Sequence, residues 1–516
     1  MTTSSPVQPP SSSLIRDSRF LLGAALIALL TSGCPATESP PAEIAEEPPA
    51  ESLAAPPLAE RAVTLEERTL ELEEGGSLAY DRGLIEVPMN RRTQSEKTLE
   101  VEFFRFRHRP DAEQAAGETD RGAPPIFMLR GGPGFGGLGP SLEESGYYES
   151  RLAPWAAVAD VVVPGQRGFG SSGATPCDPR REMTFEEVFD EEISKAVVQE
   201  ATAACRQKYE ALGYDLQGFN ALEAAADVVE IARSLGYETI QLWGVSFGSH
   251  WGMTTLRLYP ESVARATFGG LEGPDHTYDM PSYVKAALER MAASAQADPK
   301  LASLMPEEGL IDAYQAMVEA RNAEPVTMDI SIPPADGAEG EETTAELEVD
   351  GDLLKSFAWG YSGTTAFRHR ARRWPLDLLT LIDGDYEPAL GGLGRAIEDR
   401  GLNDAAYFQI DCASGLSAER GATLRSDPAA ALLGETWDYY DSYCASWDAD
   451  LGEAFRRPFE SSVPVLMVQG NWDTSTPYEN ALELRPFFTS HRFVHVEGGS
   501  HGALREAIGQ VEGFRE

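Results

Sequence analysis

The sequence predicts an α/β fold: a mostly parallel sheet flanked by helices, interrupted late in the chain by a large, mainly helical insertion. Three observations carry this expectation. Short apolar runs suited to buried strands alternate with stretches of helical periodicity. A Gly-x-Ser-x-Gly run lies between one such strand and one such helix. The alternation is suspended from residue 272 to residue 460 and then resumes.

Residues 1–34 read as an export signal. Arg16 and Arg19 precede an apolar run from Phe20 to Leu30, and Thr31-Ser32-Gly33-Cys34 follows. The run is too short to span a bilayer core of ~30 Å, which needs about 20 helical residues. A positive region, a short apolar stretch and small residues define a secretory signal. A cysteine directly after Gly33 resembles the cleavage box of bacterial lipoproteins, with Thr31 where leucine is usual. Lipidation of Cys34 is therefore expected, and that lipid would be the route to a membrane. Residues 35–62 are rich in Pro, Ala and Glu and read as a flexible acidic tether.

Residues 63–271 form the first part of the core. Leu99 to Phe106 largely alternates, as a half-exposed strand does, whereas Pro125–Arg130 and Val158–Val163 are apolar runs suited to buried strands. Asn220 caps the helical stretch ALEAAADVVEIARSLGY. The strand Thr239–Trp243, a helix over Phe247–Tyr259 and a strand over Val263–Phe268 follow. Within the insertion, 272–460, helices are expected around Tyr283–Ala297 and Gly309–Asn322, with a hairpin formed by VTMDISI and AELEV around an acidic tip at 335–343. Residues 461–516 return to the core through the strands Val463–Val468 and Arg492–Val496 and a helix over Ala503–Val511. An insertion at this point covers the carboxyl ends of parallel strands, where ligands bind in such sheets. It reads as a lid.

A net charge of −41 repels phosphates, so no nucleic-acid partner is expected. With Cys34 set aside, Cys177, Cys205, Cys412 and Cys444 allow three pairings, of which proximity favours Cys177–Cys205 and Cys412–Cys444. No C-x-x-C or paired histidine spacing supports a metal, and no cofactor is expected.

The chemistry centres on Gly244-Val245-Ser246-Phe247-Gly248, which follows a strand and opens a helix. Such a turn strains and exposes its serine, and the glycines let strand and helix pass closely. A serine hydroxyl needs a base, and the base needs an orienting group. Asp473 follows the strand VPVLMV, and His501 lies in Gly498-Gly499-Ser500-His501 after the last strand. Both therefore fall on the rim that carries Ser246. A helix-capping role competes for Asp473, because Thr474-Ser475-Thr476-Pro477 is itself a helix start. The glycine-rich loop Arg130–Gly136 would place the Gly132 N–H near the nucleophile, with Phe247 N–H as the second oxyanion donor. Gly132–Pro133 is a candidate cis bond.

Taken together, RGGPGFGG, GQRGFGSSG, GVSFGSHWG, GNWDTSTP and GGSHG resemble the prolyl iminopeptidase and tripeptidyl aminopeptidase branch of the α/β-hydrolases. Cys177, Cys205 and the segment Tyr443–Trp447 resemble its secreted tripeptidyl-aminopeptidase-like members. The resemblance implies a triad of Ser246, Asp473 and His501, an oxyanion element at Gly131–Gly134, and peptide substrates cleaved from a free N-terminus. Arg130 and Gly165 depart from residues common in that branch.

An exopeptidase must hold a free α-amino group, and Glu272 and Asp275, just past a strand end, are candidate substrate-binding carboxylates. Solvated surface acids are the plainer reading in so acidic a chain. Trp437, Tyr439, Tyr440, Tyr443 and Trp447 line a side-chain pocket or pack the lid against the body. The alternative function is a carboxylesterase acting on small esters, since this fold hosts both chemistries; a non-catalytic binding protein ranks lower because no triad position is lost.

Overall fold

The computed structural model describes residues 53–73, 75–93, 96–109, 123–134, 137–142, 146–170, 191–332, 343–359, 373–386, 405–435, 437–447 and 449–510. The export signal, Cys34, residues 35–52 of the tether, Cys177 and the hairpin tip lie outside them. No described helix is long and apolar enough to cross a membrane.

The described strands are β1 (Val63–Glu71), β2 (Ser77–Pro88), β3 (Thr98–Phe106), β4 (Ile126–Leu129), β5 (Val161–Pro164), β6 (Ile240–Ser246), β7 (Val263–Leu271), β8 (Val326–Ile332), β9 (Thr343–Val349), β10 (Val465–Gly470) and β11 (His491–Val496). Nine form one sheet in the order β1-β2-β3-β5-β4-β6-β7-β10-β11, and β8 and β9 pair as a separate hairpin. From β5 to β11 the pairing is parallel, whereas β1, β2 and β3 join antiparallel at one edge. This is the α/β-hydrolase fold.

Composition explains the layers. β4 (IFML) and β5 (VVVP) are buried at every residue, as central strands covered on both faces must be. β2 alternates, and the edge strand β1 (VTLEERTLE) is charged and mostly exposed, which discourages pairing with another chain. One face of the sheet packs Phe127, Leu129 and Leu242 against the helices Ala221–Ser234 and Phe247–Leu258. The other packs Met128, Val163 and Trp243 with Leu504 of the helix Ala503–Gln510.

The Asn220 side chain accepts the N–H of Glu223 at 3.0 Å, capping Ala221–Ser234 as its sequence predicts. That helix then buries Glu223, Asp227 and Glu230. Arg91 donates to all three, and Arg167 pairs with Asp227 at 2.7 Å. Burial alone would force these carboxylates neutral. The two guanidiniums outweigh it for Asp227, which sits below its ordinary value, but not for Glu223, where burial wins and the value rises.

Residues 53–62, expected as flexible tether, instead lie against the body. They carry no regular structure, yet Leu58 packs with Val229 and Tyr259, the Tyr259 hydroxyl donates to Pro56 O at 2.7 Å, and Arg61 pairs with Glu230. Leucines and an arginine within the Pro/Ala/Glu stretch supply the contacts that its average composition conceals.

Between β7 and β10 the inserted segment is mainly helical, and much of it has its own core around Leu288, Tyr314 and Trp374. Its helix Ala405–Ser414 returns to the body, where Ile410 joins the core beneath the sheet. Cys412–Cys444 is a disulfide closing a separation of 32 residues. Cys205 is also disulfide-bonded. The aromatic cluster packs: Trp437 and Tyr440 lie with Tyr278 and Leu424, while Trp447 and Tyr443 lie against the cysteines and Tyr209.

Candidate active site

β6 ends at Ser246, whose φ of 60° is the positive value found at a non-glycine among the described residues. The helix Phe247–Leu258 begins at the next residue. A side chain at Gly244 would approach Gly248 O to 2.2 Å, and one at Gly248 would approach Leu129 O to 2.1 Å. The turn can thus be this sharp only because both flanking residues lack Cβ. Ser246 is held in a conformation that costs of order 1–3 kcal/mol and survives because its surroundings impose it.

The glycine loop after β4 runs against this turn. A Cβ on Gly131 would lie 3.0 Å from Ser246 Cβ. Gly132 has φ of 124° and its bond to Pro133 is cis. Gln166 clamps the loop from beneath: its Oε1 accepts Gly134 N–H at 2.8 Å, and its Nε2 donates to the Arg130 and Gly131 carbonyls at 3.0 and 3.2 Å. Phe247 stands at the first turn of its helix, where backbone N–H groups lack intrahelical partners.

Asp473 is fully buried and His501 nearly so. His501 Nδ1 lies 3.1 and 3.0 Å from the two carboxylate oxygens of Asp473. Donation from Nδ1 leaves Nε2 as the acceptor of the neutral ring. Asp473 also accepts the N–H groups of Ser475 and Thr476 at 2.9 and 3.0 Å and the Thr476 hydroxyl at 2.8 Å. Of the two roles weighed for this residue, helix capping is not found: the helix Tyr478–Leu484 has Pro477 at its N-cap and no side-chain cap, and Asp473 instead holds the turn before it and faces the histidine. Burial pushes its carboxyl up, but His501 and the Thr476 hydrogen bonds prevail and hold it below the ordinary value.

The histidine reaches the serine's neighbourhood through β7. Ser246 pairs with Leu271 in the sheet, and a Cβ on the preceding Gly270 would lie 3.1 Å from both His501 Cε1 and Thr476 Oγ1. Ser249 binds the same junction: its hydroxyl donates to Ser246 O at 2.7 Å and accepts Glu272 N–H at 2.9 Å.

Glu272 is largely enclosed. Burial pushes its carboxyl well above the usual range, and the charges of Asp411 and Asp279 add to the effect. Asp279 is raised in the same way, by burial and then by Asp473. The neighbouring His250 ring lies 3.8 Å from Glu272, but burial lowers it to about 4, so it stays neutral and supplies no countercharge. Asp275 behaves differently from expectation. Its oxygens accept the Ser417 N–H and hydroxyl, each at 2.6 Å, so it fastens the helix Ala418–Arg425.

Sequence reasoning missed Gln166, Ser249, Gln469, Asp279 and Asp411. Gln166 lies within the quoted motif GQRGFGSSG and Ser249 within GVSFGSHWG, and Gln469 falls between VPVLMV and GNWDTSTP; a polar residue amid apolar and glycine neighbours at a strand end is a usable signal.

Two family models match the chain: the alpha/beta hydrolase fold over residues 124–321 and a TAP-like protein over residues 429–510. A tripeptidyl aminopeptidase of Streptomyces coelicolor is 24% identical over 406 residues, covering 72% of this chain and 69% of that protein. One from Streptomyces lividans is 23% identical over 406 residues, covering 72% and 70%. Among solved structures, an esterase from Exiguobacterium antarcticum aligns at a TM-score of 0.33 with 12% identity, covering 81% of this chain and 94% of its own.

Proposed function

Since the chain is an α/β-hydrolase of the tripeptidyl-aminopeptidase-like family, we propose that it releases residues from the free N-terminus of peptides through an acyl-enzyme on Ser246. His501 Nε2 takes the Ser246 proton as Oγ attacks the scissile carbonyl, and Asp473 holds the ring and stabilises the imidazolium. The Gly132 and Phe247 N–H groups receive the oxyanion. The imidazolium then protonates the departing amine, and water resolves the acyl-enzyme by the same route.

The observation that carries the exopeptidase reading is the enclosed Glu272 carboxyl. It sits one residue beyond the sheet partner of Ser246, crowded by Asp279 and Asp411 and lacking a charged histidine. Glu272 and Asp279, two acids that burial holds against their ionisation, call for a cation, and a substrate ammonium supplies one. Glu272 directly follows β7 and Asp411 lies in the helix Ala405–Ser414, so the anchor is built from two distant parts of the insertion, and we assign residues 272–460 the part of a lid. Asp275 takes no part.

Tripeptidyl amides with free and acetylated N-termini, tested beside short acyl esters on wild type and Ser246→Ala, decide the matter. The reading requires turnover of the free amides, little of the acetylated ones, and loss of both in Ser246→Ala. Turnover of esters alone would leave a carboxylesterase instead.

We also place the protein outside the cytoplasm, anchored by a lipid on Cys34. The signal-like segment and the Cys412–Cys444 disulfide, a bond that persists in oxidising compartments, support this. Mass spectrometry of the mature N-terminus tests it: an unmodified residue other than Cys34 there removes the anchor.

A further inference from the structure

We propose that a cavity behind the oxyanion loop is a second binding site, built for an arylalkanoate, a small carboxylate with an aromatic tail. The cavity measures about 310 Å³, within the size range of small-molecule sites. It lies on the sheet face that packs the helix Ala503–Gln510, and neither Ser246, Asp473, His501 nor Glu272 lines it. The site is therefore separate from the proposed catalytic cleft, and the inference does not depend on that reading.

Its walls are apolar and aromatic. Met128, Leu138, Leu152 and Val163 are buried there. Trp155 and Trp243 meet edge to face with ring centroids 6.3 Å apart, and the Trp243 Nε1–H is buried without an acceptor. Tyr147 adds a third ring, fixed by Arg130, whose Nη1 donates to its hydroxyl at 2.7 Å. Such surfaces favour a flat aromatic tail over a branched or strongly hydrated one.

The charge at this cavity runs against the rest of the chain. Acidic residues outnumber basic ones 83 to 42 overall, yet Arg130, Arg151 and Arg505 line this cavity and no carboxylate does among the described residues. Arg151 and Arg505 are exposed and stand with the exposed Val158, so the positive charge is at the solvent side and the rings are inside. A ligand with one carboxylate head and an aromatic tail matches that polarity, the guanidinium fork suiting a planar carboxylate. Arg130 is also the residue immediately before Gly131, so an occupant here would touch the root of the oxyanion loop.

The test is calorimetric and fluorescence titration of the full chain with 4-phenylbutyrate. One saturable site is expected, with a change in tryptophan emission from Trp155 and Trp243. Binding should weaken about tenfold in each of the surface variants Arg151→Gln and Arg505→Gln, and 4-phenylbutanol should bind at least tenfold more weakly than the acid. Protein whose Ser246 has been blocked by a sulfonyl fluoride should bind as before. The proposal fails if the alcohol binds as well as the acid, if the Arg151→Gln/Arg505→Gln double variant binds unchanged, or if blocking Ser246 abolishes binding.

Discussion

The side-chain amide of Gln469 donates to the buried carboxylate of Asp473 across 3.1 Å, and its own oxygen accepts Leu271 N–H at 2.9 Å. One residue thus fixes the carboxylate that faces His501 relative to the strand partner of Ser246. Gln469→Leu should lower kcat about 10- to 100-fold with little change in KM, the scale expected when a catalytic group is misplaced by about an ångström. Steady-state kinetics on a tripeptidyl amide measures it. A kcat within twofold of wild type would mean that Thr476 positions Asp473 unaided.

Asp473→Asn should cost more, roughly 10⁴-fold in kcat, because the amide forces the wrong tautomer on His501. It should also cost stability in a pH-dependent way. The Asp473 carboxyl is held below its ordinary value, so its contribution is present above the unfolded value and fades as pH falls through the folded one. The melting temperatures of variant and wild type should differ at pH 7 and converge toward pH 3. A gap that stays constant across that range would refute the assignment.

At Glu272 the sign reverses. Its carboxyl is raised in the folded protein, so ionisation opposes folding once pH exceeds the ordinary carboxylate value. Glu272→Gln should therefore raise the melting temperature, and more at pH 8 than at pH 5. The same change should raise KM about tenfold or more for free-amine peptides while sparing small esters. Thermal melts and paired kinetics separate the two effects, and a variant that is both destabilised and fully active contradicts them.

Arg91 is a structural counterpart. It is buried among Glu223, Asp227 and Glu230, with contacts of 2.8, 2.7 and 2.6 Å. Arg91→Met removes the cation shared by all three acids, leaving Arg167 and Arg61 to face them, and should cost about 3 kcal/mol in urea unfolding. Restoring neutrality with Glu223→Gln in the same chain should recover part of that loss.

Much of the fold was legible because it rests on local pattern. β4, β5 and β10 are short apolar runs, and Asn220 announces its helix. β1 escaped notice because an exposed edge strand such as VTLEERTLE carries its charges on purpose and shows no buried periodicity. The long helix Glu191–Ala211 is polar on much of its surface, and the buried residues among those described, Ala201, Thr202, Cys205 and Tyr209, are confined to its second half. At the site, Ser246, Asp473 and His501 could be placed because each follows a strand. The partners that hold them could not. Gln469 acts through a contact with Leu271 on the neighbouring strand, and Asp275 looked available because Ser417, which engages it, is 142 residues away. Asp473 was readable as a helix cap or as a partner of histidine, and packing decides for the second: the helix begins only at Tyr478, and the carboxylate holds the preceding turn and the His501 ring.

Ser249 has the last consequence. Its single hydroxyl ties the Ser246 carbonyl to the Glu272 backbone, so nucleophile and carboxylate stand on one stiff piece of protein. On the proposed reading, a peptide gripped by its first residue at Glu272 would meet Ser246 at a set distance along its length. The spacing would work as a ruler, and counting residues needs no recognition of the residues counted.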